Sequence, residues 1–223
     1  MIGRKYPKLS NGGFTIIELM IATLVFSVVL ILITVGVISF NNAYYKGVTQ
    51  STTQSAARTI IEDITQSVQF SGGQVTSPVG TTGSGSSVGF CIGNQLYSYL
   101  LGWQLVNGTA NASFHQTNHA LVVSSSGDCS GMDAQDMQGD VSGTELLSPN
   151  MRLSSLSVTQ VAGSSDLYKI NVRVVYGADD LLYSPSGDIP AATAPDATCK
   201  LETGDQFCAV SDLSTIVEKR IND

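Results

Sequence analysis

The chain's 223 residues leave room for one membrane element and one globular domain of common size, ~130–150 residues, and exclude a second sizeable core. Charged residues are only 13% and aromatics 7%, with abundant Gly, Ser and Thr, a balance of β-rich extracytoplasmic domains rather than charged helical cytosolic ones. Arg4, Lys5 and Lys8 all precede Gly13, so residues 14–223 keep eight of the eleven cations against eighteen acids, a net charge of −10 that repels phosphate and argues against direct nucleic-acid binding.

Residues 1–13 form a short basic leader. Residues 14–40, FTIIELMIATLVFSVVLILITVGVISF, hold one charge in 27 positions, and a helix of that length rises ~40 Å, enough to cross a bilayer. A removable secretory signal would have a shorter apolar core ending at a small-residue cleavage site, whereas this run leads into polar helix. The positive charges stand ahead of the span and no comparable basic cluster follows it. The positive-inside bias therefore predicts a cytoplasmic leader and export of residues 41–223.

Glu18 is the one ionisable residue of the span, and such a residue defaults to a function with a named partner. A cut between Gly13 and Phe14 would place a new α-amino group about one helical turn, ~6 Å of rise, from Glu18, whose carboxylate could neutralise it within the chain or on a neighbouring subunit. Alternatively, Glu18 complements the macrodipole at a helix N-terminus, worth ~0.3–1 kcal/mol. The residues alone leave both readings open.

K-L-S-N-G-G-F-T-I-I-E-L-M-I-A at positions 8–22 resembles the cleavage and methylation site of type IV prepilins and type II secretion pseudopilins. Four features coincide ahead of an apolar helix: a basic leader, Gly13 before the cut, Phe14 after it, and Glu18 as fifth residue of the mature chain. The resemblance implies a prepilin peptidase that cuts after Gly13 and N-methylates Phe14, and pairing of Glu18 with the N-terminus of an adjacent subunit. The implied partners are that peptidase, other pilin or pseudopilin subunits, an inner-membrane assembly platform and the lipid bilayer; no cofactor and no metal are expected. The implied location is a single pass through a bacterial cytoplasmic membrane, N-terminus inside, followed by a periplasmic or cell-surface filament. Unlike many major pilins, the chain has no proline in residues 14–70, so a helix break there would have to use Gly36 or Gly47.

Residues 41–71 continue the helix in amphipathic form. Ala57, Ile60, Ile61, Ile64 and Val68 recur at three- and four-residue spacing, with Arg58, Glu62, Asp63, Gln66 and Gln69 on the other face. Residues 72–89 are rich in Gly, Ser and Thr and read as a connector. Residues 90–223 read as a disulfide-stapled β-rich domain, with alternating strands expected at 96–101, 120–124, 153–160 and 168–176, and an edge strand at 207–219. The fold class is α+β: a pilin-like lollipop in which one long helix packs on an antiparallel sheet.

Cys91, Cys129, Cys199 and Cys208 all follow the span, and an even count in an exported domain predicts two disulfides. Three connectivities are open. The turn-forming Gly204-Asp205 favours Cys199–Cys208 as a hairpin staple, leaving Cys91 with Cys129.

His115 and His119 lack both a helical period and a metal-site motif, and Asp179, Asp180 and Asp188 match no calcium loop, so both sets read as ordinary loop residues. Ser, His and Asp occur without G-x-S-x-G, and no enzyme is expected. The polar helix end at 57–68 and the stapled C-terminal sheet resemble J-type minor pseudopilins and W-type minor pilins. The sequence therefore points to a structural, minor filament subunit. The alternative is a membrane- or filament-anchored binding module such as a tip adhesin.

Overall fold

No proline interrupts residues 14–70, and the chain there folds as one 55-residue α-helix, α1 (Ile16–Phe70), which neither Gly36 nor Gly47 breaks. The computed structural model describes residues 13–71, 75–76, 79–80, 87–125, 134–139, 141–187, 191–201 and 204–220. Two compact units share α1, Met1–Ala43 and Tyr44–Asp223.

In the first unit every described residue is exposed, although most are apolar. Three hydroxyls along this part of α1 are satisfied within it: Thr23, Ser27 and Thr34 donate to the carbonyls of Met20, Leu24 and Leu30 at 2.8–3.0 Å. A helix that satisfies its own polar groups and turns aliphatic side chains outward on all sides is suited to hydrocarbon. It is long and apolar enough to cross a membrane.

The second unit holds the C-terminal part of α1 and twelve described strands. They are β1 (Val79–Gly80), β2 (Val88–Ile92), β3 (Gln95–Tyr99), β4 (Gln104–Leu105), β5 (Gln116–Thr117), β6 (Leu121–Ser125), β7 (Thr144–Glu145), β8 (Met151–Gln160), β9 (Leu167–Tyr176), β10 (Leu182–Tyr183), β11 (Thr198–Cys199) and β12 (Ala209–Glu218). An antiparallel five-stranded sheet runs β1-β2-β3-β6-β7, and an antiparallel three-stranded sheet runs β12-β9-β8. A parallel bridge between Leu101 and Leu153 joins them, while β10-β11 and β4-β5 form small ribbons.

The four alternating strands and the edge strand occur where expected. Along β9, Tyr168, Ile170, Val172 and Val174 are buried, while Lys169, Asn171 and Arg173 point the other way. The stretch expected as a connector contributes more than a link: Val79 and Gly80 pair with Gly89 and Val88, and Val75 bridges Ile92. Valines spaced through the Gly- and Ser-rich segment supply the residues that pair. Residues 72–74, 77–78 and 81–86 lie outside the described residues.

The sheets and α1 enclose one main core. Thr49, Thr53, Ala56, Ala57, Ile60, Ile64 and Val68 form the buried stripe of α1, against Phe90, Ile92, Tyr97, Leu121, Leu153, Ile170 and Val217 from the strands. Each fully buried isoleucine contributes ~1.5–3 kcal/mol of transfer free energy. Thr53 enters this stripe because its hydroxyl donates to the Thr49 carbonyl at 2.7 Å, leaving only its methyl to pack. Tyr97 ties helix to sheet, its hydroxyl 2.7 Å from Asp63 Oδ2 and 2.8 Å from Ser67 Oγ. Burial pushes the Tyr97 phenol far above its ordinary range, so it stays a neutral donor.

Cys199 and Cys208 are joined, with Cα atoms 5.8 Å apart. The bond is not a hairpin staple. Cys199 ends β11, whose partner is β10, and Cys208 precedes β12, so the disulfide ties the small ribbon to the start of the long edge strand. Cys91 is also disulfide-bonded; Cys129, its expected partner, lies outside the described residues.

Candidate functional site

Gly13, Phe14 and Thr15 precede the first turn of α1 and are exposed. A Cβ at Gly13 would meet nothing within 4 Å, so the packing of the chain itself makes no demand for glycine there. Phe14 is 89% exposed and packs into no core of its own chain.

Thr15 is the residue from which the helix starts. Its carbonyl accepts the Leu19 N–H at 3.2 Å, and its hydroxyl accepts the Glu18 N–H at 3.3 Å. Glu18 reaches back: its Oε2 accepts the Thr15 N–H at 2.9 Å and the Thr15 hydroxyl at 2.8 Å. This is a capping box, in which the two residues satisfy each other's otherwise orphaned donors at a helix N-terminus. T-I-I-E at 15–18 carries its signature, a Thr followed three residues later by Glu ahead of an apolar run, and this role of Thr15 was the one missed in reading the sequence.

Among the described residues, Thr15 is the only hydrogen-bonding partner of the Glu18 side chain. The arrangement leaves the Gly13–Phe14 peptide bond outside the helix and open, and holds a carboxylate at the helix end directly behind it.

Residues 8–34 match the family model described as the prokaryotic N-terminal methylation motif. The chain carries a prepilin-type cleavage and methylation site. No curated protein and no solved structure matches the chain significantly. The prepilin-type site contains Gly13, Phe14 and Glu18, and it supports a type IV pilin-like or pseudopilin subunit.

Of the residues weighed for metal chemistry, His115 and Asp179 meet, and His119 lies elsewhere. His115 Nδ1 lies 2.8 Å from Asp179 Oδ2, and Asp179 Oδ1 lies 2.7 Å from the guanidinium of Arg152. Arg152 is fully buried and also donates to the carbonyls of Gly102 and Gly177 at 3.0 and 2.8 Å. Asp179 therefore serves as counter-ion to a buried cation, a task that no local pattern announces. Gly102 is held in the left-handed region at φ 79°, and a Cβ there would lie 2.3 Å from Thr193 Cα, so only glycine brings that carbonyl to Arg152.

His119 faces Glu145 instead, at 3.8 Å. Burial raises the Glu145 pKa, opposed by backbone N–H groups from Ala120, Leu121 and Leu147 that hold the carboxylate. Asp188 lies outside the described residues, and among those described no cluster of three or more His, Cys, Asp or Glu is placed to hold a metal ion.

Proposed function

We propose that this protein is a structural subunit, of the minor type, of a type IV pilus or type II secretion pseudopilus. Prepilin peptidase removes residues 1–13 and methylates the amino group of Phe14. The domain beyond α1 is extracytoplasmic, and α1 anchors it in the cytoplasmic membrane until an assembly platform passes the subunit into a filament. There the apolar helix exchanges lipid for the helices of neighbouring subunits, and Glu18 pairs with a neighbour's N-terminus. Cys91–Cys129 completes the staples of the domain. Its role is assembly, not catalysis.

The observation that carries this reading is the geometry at the N-terminus: an open Gly13–Phe14 bond directly followed by a capped carboxylate, within a methylation motif, at the start of a helix whose residues through Ala43 are all exposed. A carboxylate at the edge of an apolar span is costly without a partner.

The test is mass spectrometry of the N-terminal peptide from membrane and sheared-filament fractions, with and without the host's prepilin peptidase. N-methylated Phe14 that disappears without the peptidase, and that occurs in sheared material, is the expected result. An intact Met1 in both backgrounds would overturn it and leave a signal-anchored protein.

A further inference from the structure

In the unit beginning at Tyr44, exposed large apolar side chains collect at one end. Tyr44, Tyr45 and Val48 on α1 and Leu201 and Phe207 beside the Cys199–Cys208 disulfide are all exposed, Leu201 to 90%. Tyr45 packs against Phe207 with ring centroids 5.8 Å apart, and Tyr44 against Tyr45 at 5.9 Å. The patch is built rigidly. Lys46 forms an ion pair with Asp205, Thr49 donates to the Gln206 carbonyl at 3.2 Å, and the disulfide closes the loop behind them. Lys200 stands beside Leu201, on the rim of a groove of about 210 Å³ that Lys46 also lines.

Aromatic rings with a polar edge and aliphatic tips form the composition that anchors proteins at the boundary of headgroups and acyl chains, while Lys46 and Lys200 are held by Asp205 and the Asp180 carbonyl. The position fits as well. Tyr44 and Tyr45 follow Phe40, the last residue of the apolar run, by ~6–8 Å of helix rise, about the depth of the interfacial layer on one side of a bilayer.

We infer that Tyr44, Tyr45, Leu201 and Phe207 form a second membrane contact, which seats the disulfide loop in the lipid headgroup layer while the subunit waits in the membrane. This rests on the reading of α1 as a membrane span. Release of the loop accompanies extraction of the subunit from the bilayer.

The experiment uses the full chain in phosphatidylcholine–phosphatidylglycerol vesicles, with and without lipids brominated in the upper acyl chain. Trp103 is the single tryptophan, so Trp103→Phe gives a silent background. Leu201→Trp and, separately, Phe207→Trp report on the patch, and Phe40→Trp reports on the span. Emission of both patch variants is expected to fall about twofold with brominated lipid and to resist aqueous iodide, as for indoles held at the interface. Quenching of Phe40→Trp without quenching of either patch variant would overturn the inference and leave the span intact. Quenching of none of the three would overturn both. A patch signal that follows protein density in the vesicle rather than bromine would mean that a second copy covers the patch, and would equally overturn it.

Discussion

Thr15 and Glu18 close one helix end from both sides, the Thr15 N–H and hydroxyl meeting Glu18 Oε2 while the Glu18 N–H meets the Thr15 hydroxyl. After the proposed cut, the α-amino group of Phe14 and the Thr15 cap would compete for one carboxylate. Gln serves in a capping box as Glu does, but carries no charge. Glu18→Gln should therefore insert into the membrane normally and yet lose about tenfold or more in recruitment, the equivalent of one charge-assisted hydrogen bond at ~1.5–3 kcal/mol. Glu18→Ala should fall further by the loss of the cap. The ratio of sheared-filament to membrane-bound subunit measures both. Wild-type recruitment of Glu18→Gln would mean that the side chain acts as a cap alone.

Arg152 has no route to water, and Asp179 is its counter-ion. Asp179→Ala should cost about 3 kcal/mol, because it leaves a buried guanidinium uncompensated. The double variant Arg152→Met with Asp179→Ala should recover part of that loss. Denaturant midpoints of the wild type, Arg152→Met, Asp179→Ala and the double variant give the coupling; simple additivity would show that the pair is energetically silent.

Which parts of this fold could be read from the chain follows from how each element is buried. β9 and β12 lean on one buried face, so period-two alternation marks them, and Ile60, Ile64 and Val68 mark α1 in the same way with a helical period. β2, V-G-F-C-I, is covered on both faces and shows no alternation, and it follows a Gly- and Ser-rich stretch. At the N-terminus, the methylation motif over residues 8–34 is legible because its pattern is contiguous. The Lys46–Asp205 and Tyr97–Asp63 contacts join residues far apart in the chain, and no local spacing encodes them.

The Cys199–Cys208 bond closes a short loop, and removing both sulfurs by Cys199→Ser with Cys208→Ser should lower the unfolding free energy by ~2–3 kcal/mol. The loss should be uneven. Amide exchange should accelerate in the turn at Asp205–Phe207 and at Thr49, whereas the β9–β12 ladder, paired over all ten residues, should keep its protection until global unfolding. Uniform acceleration would mean that the loop and the sheet open together.

Asp196 accepts the Ser184 hydroxyl and the Ser186 N–H, both at 2.7 Å, and these bonds hold its carboxyl below the usual range. Because the folded pKa lies below the unfolded one, the stabilisation is fully present above the unfolded value and is lost as pH falls through the folded value. Melting temperatures of the wild type and Asp196→Asn should therefore differ at about pH 6 and converge towards about pH 2.5. A constant gap across that range would show that the carboxylate charge contributes nothing.

Arg220, just beyond β12, donates its N–H to the Gln69 carbonyl at the end of α1, and Val217 of β12 belongs to the same core as Ile60. The strand that finishes the three-stranded sheet is thus made after every other described strand, while the helix it helps to cover is made before all of them. Synthesis sets an order of events. The apolar face of residues 56–68 emerges ahead of every strand that covers it and must wait for β12 before its cover is complete. During that interval the nascent chain exposes a second sticky surface besides the apolar N-terminal part of α1, and the time taken by translation becomes part of what decides whether it folds or aggregates.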